Sequence, residues 1–231
     1  MNTKKIYRNS NWAKTRQGIC ISFSSSMSIQ ERENAPERDL YLFVGGVHGD
    51  EPEGVWLAEA LLNRMNTDYA RGRYPKKEWL ILPCLNPEGL LKNERTNSQG
   101  VDLNRNFPSK DWSSDSKAPR YYPGPHSASE PEVQALVKLI ELYKPKLIIH
   151  FHSWEPCIVY TGNLGEKIAQ QLSIHSGYSY KEDIGYPTPG SLGQYGWLEK
   201  QTPVICIEEK EGCPREHIWR RFQFAFDELL R

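Results

Sequence analysis

The chain has 231 residues, 38% of them hydrophobic, and its 29 basic side chains balance 29 acidic ones to a formal net charge of zero. That is enough chain for one α/β domain with an ample core. The charge balance leaves no electrostatic case for a nucleic-acid or anionic-membrane partner, while a small or peptidic ligand in a pocket stays open.

Taken in order, residues 1–10 are basic but no apolar h-region follows them, and no later segment approaches about 18 consecutive apolar residues, so the protein is expected in the cytosol. No Pro/Gly/Ser-rich linker or charge block divides residues 1–231, which are expected to form a single domain. Within it, residues 1–37 are expected to give an N-terminal strand and a polar connection. Ile19, Ile21 and Phe23 alternate with Cys20 and Ser22 in that first strand, and Gln30 to Arg38 is polar. The apolar run Leu40 to Val47 predicts a buried strand broken at Gly45-Gly46. From Pro52 to about Met65 the spacing of Val55, Trp56, Ala58, Leu61 and Leu62 predicts a helix with proline in its first turn. His48 and Glu51 therefore fall on a strand-to-helix turn as His-x-x-Glu. An imidazole and a carboxylate there can reach one Zn²⁺ at about 2.0 to 2.2 Å, although such a pair taken alone reads first as a solvated turn.

Tyr69 to Lys77 reads as a basic, aromatic loop and Trp79 to Cys84 as a strand, which completes a parallel βαβ unit with an expected right-handed crossover. From Asn86 to Pro125 no long periodic segment is found, and a polar loop of that length marks a functional surface. It carries Arg95 and Arg105. Ser129-Glu130-Pro131-Glu132 reads as a capping box opening a helix with Val133, Leu136, Val137, Ile140 and Tyr143 on one face. Lys146 to His152 predicts a buried strand that places His150 and His152 on one face at its C-terminal end, where open α/β sheets bind ligands. A short strand from Cys157 to Tyr160, a helix from Leu164 to about His175 and a turn-rich loop from Gly185 to Gly193 follow. The last strand, Pro203 to Glu209, puts Glu208 on the face of Cys206, and a helix from Pro214 to Leu230 turns Ile218, Phe222, Phe226 and Leu229 inward. His126 and His175 lack ligand-like neighbours. Cys20, Cys84, Cys157, Cys206 and Cys213 contain no Cys-x-x-Cys pair and are expected as reduced, buried small residues.

Brought together at the strand ends, these parts give His48, Glu51, one of His150 or His152, Glu208, Arg95 and Arg105. Two histidines and a glutamate make a catalytic zinc set with an open fourth position for water. A carboxylate beside it can move the proton of that water, one guanidinium can stabilise a developing oxyanion, and a second can hold a substrate carboxylate bidentately.

In its ordered blocks the sequence resembles the zinc carboxypeptidases (funnelins), and within them the bacterial murein peptide amidases. The blocks are His-Gly-Asp-Glu (48–51), Asn-Pro-Glu-Gly (86–89), Arg-Thr-Asn (95–97), Gly-Val-Asp-Leu-Asn-Arg-Asn-Phe-Pro (100–108), Ser-Glu-Pro-Glu-Val-Gln-Ala-Leu (129–136), Phe-His-Ser (151–153), Thr-Pro-Gly-Ser-Leu-Gly (188–193) and Ile-Cys-Ile-Glu (205–208). The resemblance implies a three-layer α/β/α fold with a mixed, mostly parallel sheet, and one Zn²⁺ per chain held by His48, Glu51 and His152. It implies Glu208 as general base and acid, Arg95 as carbonyl clamp, and Asn104 with Arg105 as binders of a terminal carboxylate. Asp102 matches a carboxylate behind the first zinc histidine, Tyr186 is the nearest match to a mobile tyrosine that caps the pocket, and Leu192 holds the position that lines the specificity pocket. The family's usual Asn-Pro-Asp-Gly is Asn-Pro-Glu-Gly here, and Glu209 replaces an apolar residue.

The implied reaction is hydrolysis of the γ-D-glutamyl–diaminopimelate bond of murein tripeptide in cytoplasmic peptidoglycan recycling. Alternatives are a carboxypeptidase acting on ordinary peptide C-termini, an acyl-amino-acid amidohydrolase, or a metal-binding protein without catalysis. The last is disfavoured by the retained Glu208. The expected partner is a small peptide with a free carboxylate, with no nucleic acid and no membrane.

Overall fold

A computed structural model describes residues 4–231, and Met1 to Thr3 lie outside the described residues. In chain order the elements are β1 (Tyr7–Lys14), β2 (Cys20–Ser25), α1 (Ile29–Asn34), β3 (Leu40–Val44), α2 (Pro52–Ala70), β4 (Glu78–Leu82) and α3 (Pro87–Lys92). Then come α4 (Pro131–Tyr143), β5 (Leu147–Trp154), β6 (Cys157–Tyr160), α5 (Gly162–Ser176), β7 (Ser179–Lys181), the short α6 (Leu192–Gln194), β8 (Val204–Lys210) and α7 (Arg215–Leu229).

The strands form one sheet in the order β1-β2-β4-β3-β5-β8-β6-β7. Its centre, β4-β3-β5-β8, is parallel throughout, while β1, β2 and the β6–β8 pairing are antiparallel and β6–β7 is again parallel. Both faces of the parallel centre are covered, as period two and near-continuous apolar strands require. Phe43, Ile81, Ile149, Phe151, Ile205 and Ile207 pack under α2, α5 and α7 against residues such as Leu61, Leu172, Phe222 and Phe226. On the opposite face Leu42, Val44, Leu80, Leu82, Ile148 and Val204 meet Leu136, Leu139 and Ile140 of α4, together with Phe107, Leu192 and Tyr195. The result is the three-layer α/β/α arrangement expected.

Several local expectations are corrected. Tyr7–Lys14 is an antiparallel edge strand that polar Arg8-Asn9-Ser10-Asn11 conceals in the sequence, and β7 is a three-residue exposed strand with no apolar signal. The polar connection contains α1, because Ser28 and Glu31 form a true capping box there. The box expected at Ser129 does not form. Glu130 is the N-cap of α4, its amide donating to Asn106 Oδ1 at 3.1 Å, while Ser129 Oγ donates to Glu130 Oε1 at 2.8 Å. Cys20 is exposed rather than buried, and Cys84 and Cys206 are only partly covered. His126 contacts the neighbouring Ser127 carbonyl, and His175 of α5 pairs with Glu228 of α7.

Glu132, released from capping, is fully buried with neither carboxylate oxygen hydrogen-bonded. Burial, reinforced by Glu88 and Glu130, pushes its carboxyl up to about 7. The folded state thus holds this proton to a higher pH than the unfolded chain, so the associated stability is present in acid and lost as pH rises through 7. Glu132→Gln removes the titration. Its melting temperature is expected to gain on the parent by about 2 to 8 °C between pH 5 and pH 8; parallel pH profiles would contradict the assignment.

Candidate functional site

The site begins with strand parity. On β5, Ile148 faces the α4 side, so His150 and His152 continue that face beyond the reach of α4's apolar stripe. On β8, Cys206 and Glu208 continue the face of Val204 in the same way. Parallel pairing places His150 opposite Cys206 and His152 opposite Glu208. Four reactive side chains therefore share one face at the C-terminal ends of two central strands.

The turn after β3 is pressed against this face. At Gly49 a Cβ would lie 1.9 Å from the Gly89 carbonyl carbon, and at Gly54 it would lie 2.3 Å from the Phe151 carbonyl oxygen. Only glycine admits such close backbone approach. Fixed in this way, His48 Nδ1 lies 2.8 Å from Glu51 Oε1 and 3.0 Å from His152 Nδ1, while His152 Nδ1 lies 2.7 Å from Glu51 Oε2. The Ser153 amide donates to Glu51 Oε2 at 3.2 Å. Glu53, two residues after Glu51, is buried and ties α2 to Ser153 Oγ at 2.7 Å and the Gly212 amide at 2.8 Å.

Asp102 organises the next layer. Its Oδ1 accepts from His48 Nε2 at 3.1 Å and from the Asn104 amide at 2.9 Å, and its Oδ2 accepts from Arg95 Nε at 3.0 Å. Arg95 Nη1 also donates to Glu51 Oε1 at 3.1 Å. Burial and Arg95 oppose protonation of His48, yet Glu51 and Asp102 outweigh them and raise its pKa. Against their burial, Glu51 is held well below the usual carboxylate range by His48 and His152, and Asp102 is lowered by His48 and Arg95. Burial keeps the Glu208 carboxyl raised, and burial with the rings of His152 and His48 keeps His150 well below the ordinary imidazole value.

These residues fit a zinc ion. Two imidazole nitrogens and a carboxylate converge, with all ligand atoms of His48, Glu51 and His152 within 4.8 Å of one another. With Asp102 on its Nε2, His48 directs the Nδ1 lone pair inward, and electron-rich atoms crowded at 3.0 Å are relieved by a cation between them. His150 does not join this set; its cluster is with His152 and Cys206.

A cavity of about 420 Å³ opens over the set and is lined also by Arg95, Asn104, Arg105, Tyr186 and Glu208. Glu208 is 6% exposed and its Oε1 accepts from Cys206 Sγ at 3.3 Å. Asn104 Oδ1 accepts from the Leu192 amide at 2.9 Å, and Arg105 Nη1 donates to the Asn104 carbonyl at 2.7 Å. Tyr186 is exposed on the cavity wall with its ring edge-on to Trp154.

Leu192 requires a correction. Its side chain is fully buried in the core beneath the sheet and does not line the cavity, where its neighbours Ser191, Gly193 and Gln194 do. The first residue of a helix packed on Val204 and Phe107 has no freedom to face outward; only its amide serves the site. Glu209 points away, to Tyr178 Oη and Arg221. Tyr121 was not anticipated. Its ring lies 5.3, 5.8 and 5.5 Å from the guanidinium carbons of Arg95, Arg105 and Arg120, and the only signal for it was an aromatic pair in a polar loop.

A profile of the family described as zinc carboxypeptidase matches residues 8–190. Murein peptide amidase A of Escherichia coli K12 is 32% identical over 210 residues, covering 85% of this chain and 81% of that protein. The crystal structure of a murein-tripeptide amidase from Escherichia coli O157 superposes with a TM-score of 0.69 at 27% identity, covering 97% of this chain and 91% of its own. A carboxypeptidase A from Helicoverpa armigera shares the fold, with a TM-score of 0.79 at 16% identity, over 98% of this chain and 67% of that one.

If Asp102 fixes the His48 ring, Asp102→Asn weakens zinc binding by about 10- to 100-fold in chelator competition, whereas Cys206→Ala leaves it unchanged. Unaltered affinity in Asp102→Asn would refute the arrangement.

Proposed function

The chain belongs to the zinc carboxypeptidase family of metallopeptidases, and from that premise we propose that it hydrolyses the γ-D-glutamyl–diaminopimelate bond of murein tripeptide. The observation that carries the chemistry is the placement of Glu208 opposite His152 on the neighbouring strand, with its carboxylate on Cys206 rather than among the three converging ligand atoms. The likeness to murein peptide amidase A along 81% of that protein supports the substrate.

In this reading His48, Glu51 and His152 hold one zinc ion per chain. A zinc ion bound there would supply Lewis acidity towards the scissile carbonyl and would bring the pKa of water towards about 7. Glu208 accepts a proton from the attacking water and delivers it to the leaving amine nitrogen. Its buried setting raises its proton affinity towards the range in which both transfers are efficient. Arg105 and Asn104 take the carboxylate next to the scissile bond, the guanidinium through paired N–H donors. The bond from the Leu192 amide turns the Asn104 side chain into place. Arg95, fixed through Nε on Asp102 and Nη1 on Glu51, directs its Nη2 at the carbonyl oxygen as charge develops there. Tyr186, on the cavity wall, closes over the bound peptide.

Five free cysteines support a reducing, cytoplasmic setting. Among the described residues no helix is long and apolar enough to cross a membrane.

A second reading, a carboxypeptidase for ordinary peptide C-termini, is favoured by the Asn104–Arg105 pair, which would serve any terminal carboxylate. An acyl-amino-acid amidohydrolase has less use for it. Incubation with L-Ala-γ-D-Glu-diaminopimelate is expected to release diaminopimelate. Removal of ordinary C-terminal residues without that release would assign the second reading instead. Glu208→Gln is expected to retain zinc and lose about 10³-fold or more in kcat; substantial residual turnover would show that another group moves the proton.

A further inference from the structure

His150 is buried at the floor of the cavity and has no part in the chemistry described above. It is also one of the two histidines that strand parity alone offers as the third ligand. We propose that His150 is a positioning residue that selects the tautomer and fixes the ring plane of the metal ligand His152. This rests on the zinc-centre reading of the site.

His152 turns Nδ1 to Glu51 Oε2 at 2.7 Å and to His48 Nδ1 at 3.0 Å, so Nδ1 is its inward, ligating atom. Its other nitrogen, Nε2, lies 2.8 Å from His150 Nδ1. The two rings meet edge to face, with centroids 4.8 Å apart and planes at 89°. A neutral imidazole carries one N–H. For Nδ1 to offer its lone pair to a cation, the hydrogen must sit on Nε2, and a buried N–H needs an acceptor. His150 Nδ1 is that acceptor, which makes His150 an Nε2–H tautomer as well. The residues are 3% and 2% exposed, so water has little access to replace the bond.

The same geometry explains why His150 is not itself a ligand of this set. Its Nδ1 lies on the Nε2 side of the His152 ring, away from the point where His48 and Glu51 converge. The two zinc histidines are thus supported differently. His48 donates its outer N–H to the carboxylate of Asp102, whereas His152 donates to a neutral ring.

His150→Leu keeps much of the volume and removes the acceptor, while His150→Asn places an amide oxygen near the former Nδ1. Zinc affinity is read by chelator competition and folding by the melting temperature of the metal-free proteins. In folded protein, His150→Leu is expected to bind zinc about 10- to 100-fold more weakly than the parent, with His150→Asn recovering most of that loss. Long-range ¹H–¹⁵N spectra of the zinc-loaded parent are expected to show both His150 and His152 protonated at Nε2. Parent-like affinity in folded His150→Leu, equal losses in both variants, or an Nδ1–H tautomer at His150 would overturn the proposal. So would a second zinc ion per chain that is lost in Cys206→Ala. If His150→Leu fails to fold, the tautomers in the parent decide alone. A parent that binds no zinc defeats the reading of the site itself, a result distinct from all of these.

Discussion

Seven consecutive residue pairs, from Ile148 opposite Val204 to Trp154 opposite Lys210, hold β5 and β8 parallel and in register. A slip of one residue would send His152 or Glu208 through the sheet into the layer of Phe151, Ile207 and Phe222. The apolar halves of both strands therefore fix the polar ends. Burial of Ile148, Ile149, Phe151, Ile205 and Ile207 specifies the register, and the register aligns His152 with Glu208. Stability and chemistry are carried by the same hydrogen-bonded ladder.

Around that ladder the supporting groups form a continuous polar chain with a small number of links. Asp102 joins His48 to Arg95 and caps the turn that presents Asn104, and Asn104 in turn is held by the Leu192 amide. A long loop with only short helical turns can still position its side chains when one buried carboxylate accepts from three donors at once. The loop's apolar anchors, Leu103 and Phe107, are fully buried, which gives the polar chain a rigid base.

Much of this was legible from the chain alone, for physical reasons. Period-two patterning on long apolar strands identified the faces of His150, His152 and Glu208, because burial on both sides of a parallel sheet leaves little freedom in which way a residue points. The His48-to-Glu51 turn was visible as a break between an apolar run and a helical one. What the pattern did not carry were contacts made across sequence-distant loops. The Ser129 cap was displaced by Asn106, and Leu192 was drawn into the core by Phe107 and Val204 although its neighbours face the cavity. Edge strands such as Tyr7–Lys14 escape for the opposite reason: their side chains are largely exposed, so apolar periodicity is weak. Tyr121 acquires meaning only from three arginines that the fold gathers around it.

The central claim is that one zinc ion sits where the strand ends and the His48–Glu51 turn meet. It is tested most directly by anomalous diffraction from crystals of the zinc-loaded protein, collected on both sides of the zinc absorption edge. A single strong anomalous peak is expected at about 2.0 to 2.2 Å from His48 Nδ1, His152 Nδ1 and a Glu51 carboxylate oxygen. A peak between His150 and Cys206 instead, or none within reach of His48 and Glu51, would contradict it.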